Sequence, residues 1–184
     1  MTLHKHQSSP LTVKVAKLWT SPEGATQKFP LDVKVEYPAA EINAVSNLTG
    51  ELMLIKLKEE ISAIISGAEI KVGFICNRCL KEFIATVKIP GAEREFLPRK
   101  PSVMDDLNDV YLIDMKDLTI DLNEMVRQEI ILHFPQVPVC LKSCKGLCSV
   151  CGKNLNKEKC RCKKTEEEIK PLAALKKLSK NLFK

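Results

Sequence analysis

An α+β fold is predicted by three features of this chain. From Leu11 to about Pro98, apolar and polar residues alternate in short runs, the period-two pattern of half-buried strands. Residues 118–134 change to a helical stripe. Beyond position 139 lie six of the eight cysteines, Cys140, Cys144, Cys148, Cys151, Cys160 and Cys162. The expected architecture is an antiparallel sheet or partly open barrel with one central helix (residues 1–139), followed by a cysteine-rich segment and a C-terminal amphipathic helix (residues 140–184).

Along the core, Thr12–Trp19 and Phe29–Tyr37 alternate cleanly. Runs at 51–57, 61–66, 69–76 and 82–89 continue the series, punctuated by Asn47, Gly50, Gly67 and the Cys76–Cys79 turn. Residues 51–66 also nearly fit a helix through Leu52, Ile55, Ile61, Ile64 and Ile65; we read strands there. Pro98, Pro101 and three aspartates mark residues 98–109 as a mobile acidic loop. Residues 110–113 read as one more strand. Leu118, Leu122, Met125, Val126, Ile130 and Leu132 then lie mostly along one helical face, with Asp117 or Asp121 as N-cap and Pro135 as the stop. Near the end, Ile169, Leu172, Leu175, Leu178 and Leu182 define an amphipathic helix with a lysine face.

A chain of 184 residues suits one main core with an appendage. Its apolar share, 45%, is that of a globular protein, and no run approaches the roughly 18 apolar residues of a spanning helix. The N-terminal residues lack the apolar stretch of a secretion signal, so the expected location is the cytoplasm, where clustered cysteines more often hold metal than form disulfides. Charge is unevenly divided: residues 1–139 carry 16 basic against 19 acidic side chains, whereas residues 140–184 carry 13 against 4. A tail this basic can neutralise several phosphates. The cations expected to do so are Lys142, Lys145, Lys153, Lys157, Lys159, Arg161, Lys163 and Lys164. With only 5% aromatic residues, base stacking has few platforms, so the expected contacts are to the phosphate backbone.

Thiolates at two-residue spacing suit a soft, four-coordinate ion, because one tight turn aims both sulfurs at it. Lys145–Asn156 contains Cys148-Ser-Val-Cys151-Gly152 and has the form of a zinc knuckle. Gly152 can take positive φ, turning backbone N–H groups toward the sulfurs. Cys160 and Cys162 would complete one four-cysteine site. Cys140, Cys144, Cys76 and Cys79 would then form a second. The competing scheme groups Cys144, Cys148, Cys151 and one of Cys160 or Cys162, leaving Cys76 and Cys79 as reduced thiols. One or two zinc ions are therefore expected. A filled four-cysteine site has no open position for water and is structural rather than catalytic.

Other chemistries find less support. Cys76-Asn-Arg-Cys79 has the spacing of a disulfide-exchange pair, but strand patterns flank it where a redox pair would open a helix. An iron–sulfur cluster is chemically possible, though knuckle spacing favours zinc. His4 and His6 are near the terminus, and His133 ends the helical stripe, where a histidine is more often structural than a base. No serine elbow, phosphate loop or dinucleotide fingerprint is present. We expect no enzyme and no small-molecule substrate.

Four motifs in order, Cys76-Asn-Arg-Cys79-Leu-Lys-Glu-Phe83, Asp121–Pro135 with Glu129-Ile-Ile-Leu132, Cys144–Asn156 and Pro171–Leu178, resemble the YceD family. Its members are described as large ribosomal RNA subunit accumulation proteins. The resemblance implies a role in synthesis, processing or stability of large-subunit (23S) ribosomal RNA in a bacterium, with no known enzymatic activity. The implied partner is ribosomal RNA or a pre-ribosomal particle. The alternative is a protein-interaction module that helps assemble a ribosomal protein through the helix at 169–183; a thiol oxidoreductase ranks third. The full C-terminal cysteine set is similar to that of Gram-positive members, whereas other branches lose much of it.

Overall fold

The structure is a computed structural model that describes residues 11–100 and 110–162. Thr12–Lys14 form strand β1, and the chain then makes a single helical turn, α1 (Ala16–Trp19). The alternation read over Thr12–Trp19 as one strand is thus split, because Val15 and Leu18, three residues apart, are both buried. That spacing fits a helical turn rather than a strand. Strands β2 (Thr26–Val33), β3 (Leu48–Lys56), β4 (Ile61–Ile75) and β5 (Glu82–Leu97) follow, then β6 (Tyr111–Asp114), β7 (Thr119–Asp121) and helix α2 (Asn123–Leu132). One seven-stranded sheet, curled as a half-barrel, runs β1-β7-β6-β5-β4-β3-β2. Neighbours are antiparallel except β5 and β6, which pair in parallel at Phe96 with Tyr111 and Leu97 with Leu112. The expected sheet is therefore present, with one parallel join that the alternation alone does not reveal.

Strands were expected at 61–66 and 69–76, but the structure makes them one. The reason is a bulge: β3 pairs Thr49 with Glu69 yet Glu51 with Ser66, so one extra residue of β4 faces Gly50. Gly67 takes φ +57° there, which costs glycine little and other residues more. Buried positions change parity across the bulge, from Ile61, Ala63 and Ile65 to Ala68, Ile70 and Val72. β5 changes parity alongside, from Val87 and Ile89 to Ala92 and Phe96. Each half reads as a separate strand in sequence, although the hydrogen-bond ladder is continuous.

Helix α2 is shorter than the expected 118–134. Leu118 has φ +49°, outside the right-handed helical region, and its carbonyl accepts the Val15 N–H at 2.8 Å. Residues 119–121 are drawn into pairing with both β1 and β6. Leu122 occupies the cap position, while Asp121 accepts the Asn123 backbone N–H at 2.9 Å. Met125, Val126 and Ile130 of α2 are buried with the sheet residues in one core. Glu129, also buried, accepts from Arg94 of β5 at 2.8 Å.

Of the loop expected at 98–109, residues 101–109 lie outside the described residues, as does the amphipathic helix expected at 169–183. Among the described residues, no helix is long and apolar enough to cross a membrane.

Leu54 of β3 is fully buried, and its truncation leaves a cavity on top of the lost transfer energy. We expect Leu54→Ala to lower unfolding free energy by about 2–5 kcal/mol, read as a shifted denaturation midpoint at unchanged slope.

Candidate metal centres

Two compact units make up the chain. The sheet, α1 and α2 belong to the first, which takes in residues up to Ile75 and Glu82–Pro138; the second is Cys76–Lys81 together with the chain from Val139 onward. Among the described residues of the second unit, those buried are Cys76, Cys79, Cys144, Gly146 and Cys148. No leucine, isoleucine, valine or phenylalanine is among them, so among the described residues of this unit hydrocarbon burial supplies almost no core.

All eight cysteines are free thiols, and they gather as Cys76, Cys79, Cys140 and Cys144 and as Cys148, Cys151, Cys160 and Cys162, the sulfurs of each group lying within 4.8 Å of one another. This is the first of the two groupings that the spacings allow; Cys144 joins Cys76 and Cys79. A tetrahedral ion with metal–sulfur bonds of about 2.3 Å sets its sulfurs about 3.8 Å apart. The first cluster has Cys76 and Cys144 at 3.9 Å and Cys79 and Cys140 at 3.7 Å. In the second, Cys151 and Cys160 are 3.5 Å apart and Cys160 and Cys148 3.3 Å. Both groups fit a single thiolate-bound ion.

The clusters are built on two hairpins of one design. Cys76 N–H donates to the Lys81 carbonyl and Leu80 N–H to the Cys76 carbonyl, both at 2.9 Å. Cys148 N–H donates to the Lys153 carbonyl at 2.8 Å and Gly152 N–H to the Cys148 carbonyl at 2.9 Å. Position for position, Cys-x-x-Cys-x-Lys folds alike twice, an equivalence that the shared spacing could have signalled. The fifth position takes positive φ in both, +57° at Leu80 and +69° at Gly152. At 152 glycine meets the requirement freely, as the sequence suggests; at 80 an exposed leucine meets it under strain.

Electrostatics show why these thiols want a cation. Backbone N–H groups, that of Cys140 foremost, pull the Cys76 thiol down to about 6. Those of Cys151 and Val150 do the same for Cys148. Removal from water and neighbouring thiols push Cys140 up to about 12, and the Cys160 and Cys151 side chains push Cys162 up to about 12. One sulfur of each group ionises readily and the next resists, since adjacent thiolates repel. A divalent ion at the centre removes that conflict.

Two supporting residues escape a reading of the sequence. The Arg78 guanidinium donates to the Cys144 carbonyl at 3.0 Å and the Lys142 carbonyl at 3.4 Å. Asn156 donates to the Cys144 sulfur at 3.4 Å and accepts the Lys145 backbone N–H at 2.8 Å. Neither residue type announces such a role; only the turn geometry assigns it. Of the expected phosphate contacts, Lys142, Lys145, Lys153, Lys157, Lys159 and Arg161 are all exposed, with Lys153 3.5 Å from Glu158. Lys163 and Lys164 lie outside the described residues. His133 hydrogen-bonds the Glu129 carbonyl through Nδ1 at 2.8 Å, a structural placement. Cys76 and Cys79 occupy the turn between antiparallel β4 and β5.

Fold and site together define a β-sheet protein carrying a double four-cysteine centre. The chain belongs to the family described as large ribosomal RNA subunit accumulation protein YceD, whose model matches residues 67–179 and so spans all eight cysteines. Uncharacterized proteins of Mycobacterium tuberculosis and Mycobacterium bovis are each 29% identical over 163 residues, 85% of this chain and 76% of theirs. A protein of Arabidopsis thaliana named large ribosomal RNA subunit accumulation protein YCED homolog 1, chloroplastic, is 39% identical over 49 residues, 27% of this chain and 15% of its own. No solved structure matches.

Leu80 has an exposed side chain with little packing to lose, so Leu80→Asn, which tolerates this backbone region, should raise stability by about 1 kcal/mol; thermal unfolding of the metal-loaded protein reads it. Ligands must shed protons to bind, so metal uptake should release protons, and retained metal should fall from neutral pH to about pH 5 as Cys76 and Cys148 also protonate. Metal content after equilibration at each pH checks this.

Proposed function

We propose that this protein is a non-enzymatic ribosome-biogenesis factor of the bacterial cytoplasm, supporting the synthesis, processing or stability of large-subunit (23S) ribosomal RNA. Membership of the YceD family across residues 67–179 is the observation that carries this reading. Zinc is the ion assigned to both clusters: two Cys-x-x-Cys knuckles with four sulfurs each are its preferred surroundings, and filled sites of this kind leave no coordination position for substrate. Zinc here holds a shape, and the shape carries cations.

Six exposed basic side chains, from Lys142 to Arg161, occupy the same unit as the sulfurs. They suit phosphate oxygens, which position a protein on RNA without reading sequence. The bacterial partner would be ribosomal RNA itself or a pre-ribosomal particle.

The test is RNA binding across a salt series. Replacing Lys142, Lys145, Lys153, Lys157, Lys159 and Arg161 by glutamine should weaken binding to large-subunit ribosomal RNA and flatten its salt dependence, by about one unit of log–log slope for each phosphate no longer neutralised. Affinity that ignores salt would overturn the phosphate reading. Association with ribosomal particles that survives nuclease treatment would favour the protein-interaction alternative.

A further inference from the structure

We infer that the two zinc sites differ in kind: the cluster of Cys76, Cys79, Cys140 and Cys144 keeps its ion, while that of Cys148, Cys151, Cys160 and Cys162 exchanges its ion with the surrounding zinc pool. The inference rests on the zinc assignment above and goes beyond it.

Access is the first reason. In the first cluster Cys76, Cys79 and Cys144 are buried, at 0%, 6% and 5% exposure, and Cys140 is half-buried. In the second only Cys148 is buried; Cys160 is half-buried, and Cys151 and Cys162 are exposed. Metal leaves a thiolate site when a competing ligand reaches the ion or a proton reaches a sulfur, and both steps need an open face. Cys151 and Cys162 provide one.

Outer-shell support is the second. Arg78 holds the backbone at Cys144 and Lys142, Asn156 donates directly to the Cys144 sulfur, and Leu147 N–H donates to the Arg78 carbonyl at 3.0 Å. The Arg78 bonds tie the Cys140–Cys144 arm to the Cys76–Lys81 hairpin, while Asn156 braces the arm and Leu147 the hairpin from the residues that follow. Gly146 fits tightly there: a Cβ would meet the Arg78 carbonyl oxygen at 3.0 Å. The second arm of the other cluster is Cys160-Arg161-Cys162, without regular structure. Its sulfurs have a hydrogen bond from within the arm, Cys162 N–H to Cys160 at 3.3 Å. Partners of the kind around Cys144 shift metal affinity by about 10–100-fold.

The exchanging site closes residues 148–162, the stretch that bears Lys153, Lys157, Lys159 and Arg161. Zinc supply thereby bears on how these four cations are held, while Lys142, whose carbonyl accepts from Arg78, stays with the permanent site.

The test is zinc release from the full-length zinc-loaded protein to a chromophoric chelator, with native mass spectrometry counting ions and alkylation mapping the freed thiols. We expect one equivalent to leave roughly tenfold or more faster than the other, the scale on which outer-shell partners act. Alkylation during the fast phase should fall on Cys148, Cys151, Cys160 and Cys162. Cys151→Ser should abolish the fast equivalent and leave the slow one unchanged. Two equivalents leaving in one phase, or first alkylation at Cys76, Cys79, Cys140 or Cys144, would overturn the inference while leaving the zinc assignment intact. Protein purified without any zinc, and taking up none, would defeat both.

Discussion

Sulfur, rather than hydrocarbon, is what the described residues of the second unit bury, and their arrangement depends on it. Its buried side chains among the described residues are cysteines, apart from one glycine. Hydrophobic burial stabilises a chain in proportion to apolar area removed from water, and among these described residues that area is small. Segments this short usually need a metal or disulfides to hold one conformation. Four thiols within 4.8 Å repel one another when ionised and lack a net attraction when neutral, so the geometry makes sense around a cation. The same arrangement joins positions far apart in the chain, since Cys76 and Cys144 are 68 residues apart.

Charge and coordination serve one purpose in this unit. A four-thiolate centre is electrically negative even with its ion, whereas the surrounding loops carry a surplus of lysine and arginine. Thiolates amid a surplus of exposed cations let a small unit present a basic surface with part of its self-repulsion offset. The first unit, held by an ordinary apolar core with α2 buried against it, needs no such arrangement.

Much of this is legible in the sequence. Period-two alternation finds β3 to β5 because one face of each is buried, and finds β2 in part, since that strand ends at Val33 rather than Tyr37; the cysteine spacings locate the candidate metal ligands because a tight turn has few ways to aim two sulfurs. What escapes the sequence is non-local. Nothing in residues 118–121 says that Leu118 will take positive φ to meet Val15, or that Ile120 will pair with Val13; local periodicity therefore favours a longer helix than forms. The choice between two cysteine groupings likewise depends on Arg78 and Asn156, whose contributions arise only once residues 76–81 and 139–156 meet. Leu80 is a further case, since propensity would place glycine at that backbone angle.

Gly67 has a reach out of proportion to its size. By adding one residue to β4 opposite Gly50, it resets which face every later side chain of the strand occupies. The apolar set Ala68, Ile70 and Val72 is inward only because of that offset. Chain length between Ser66 and Ala68 is therefore a constraint in its own right, independent of residue chemistry: lose one position and the second half of β4 would present its lysine and glutamate inward and its aliphatic residues to water. In this family, insertions and deletions near this point should be rarer than substitutions, because evolution can change a side chain there more easily than it can change the count.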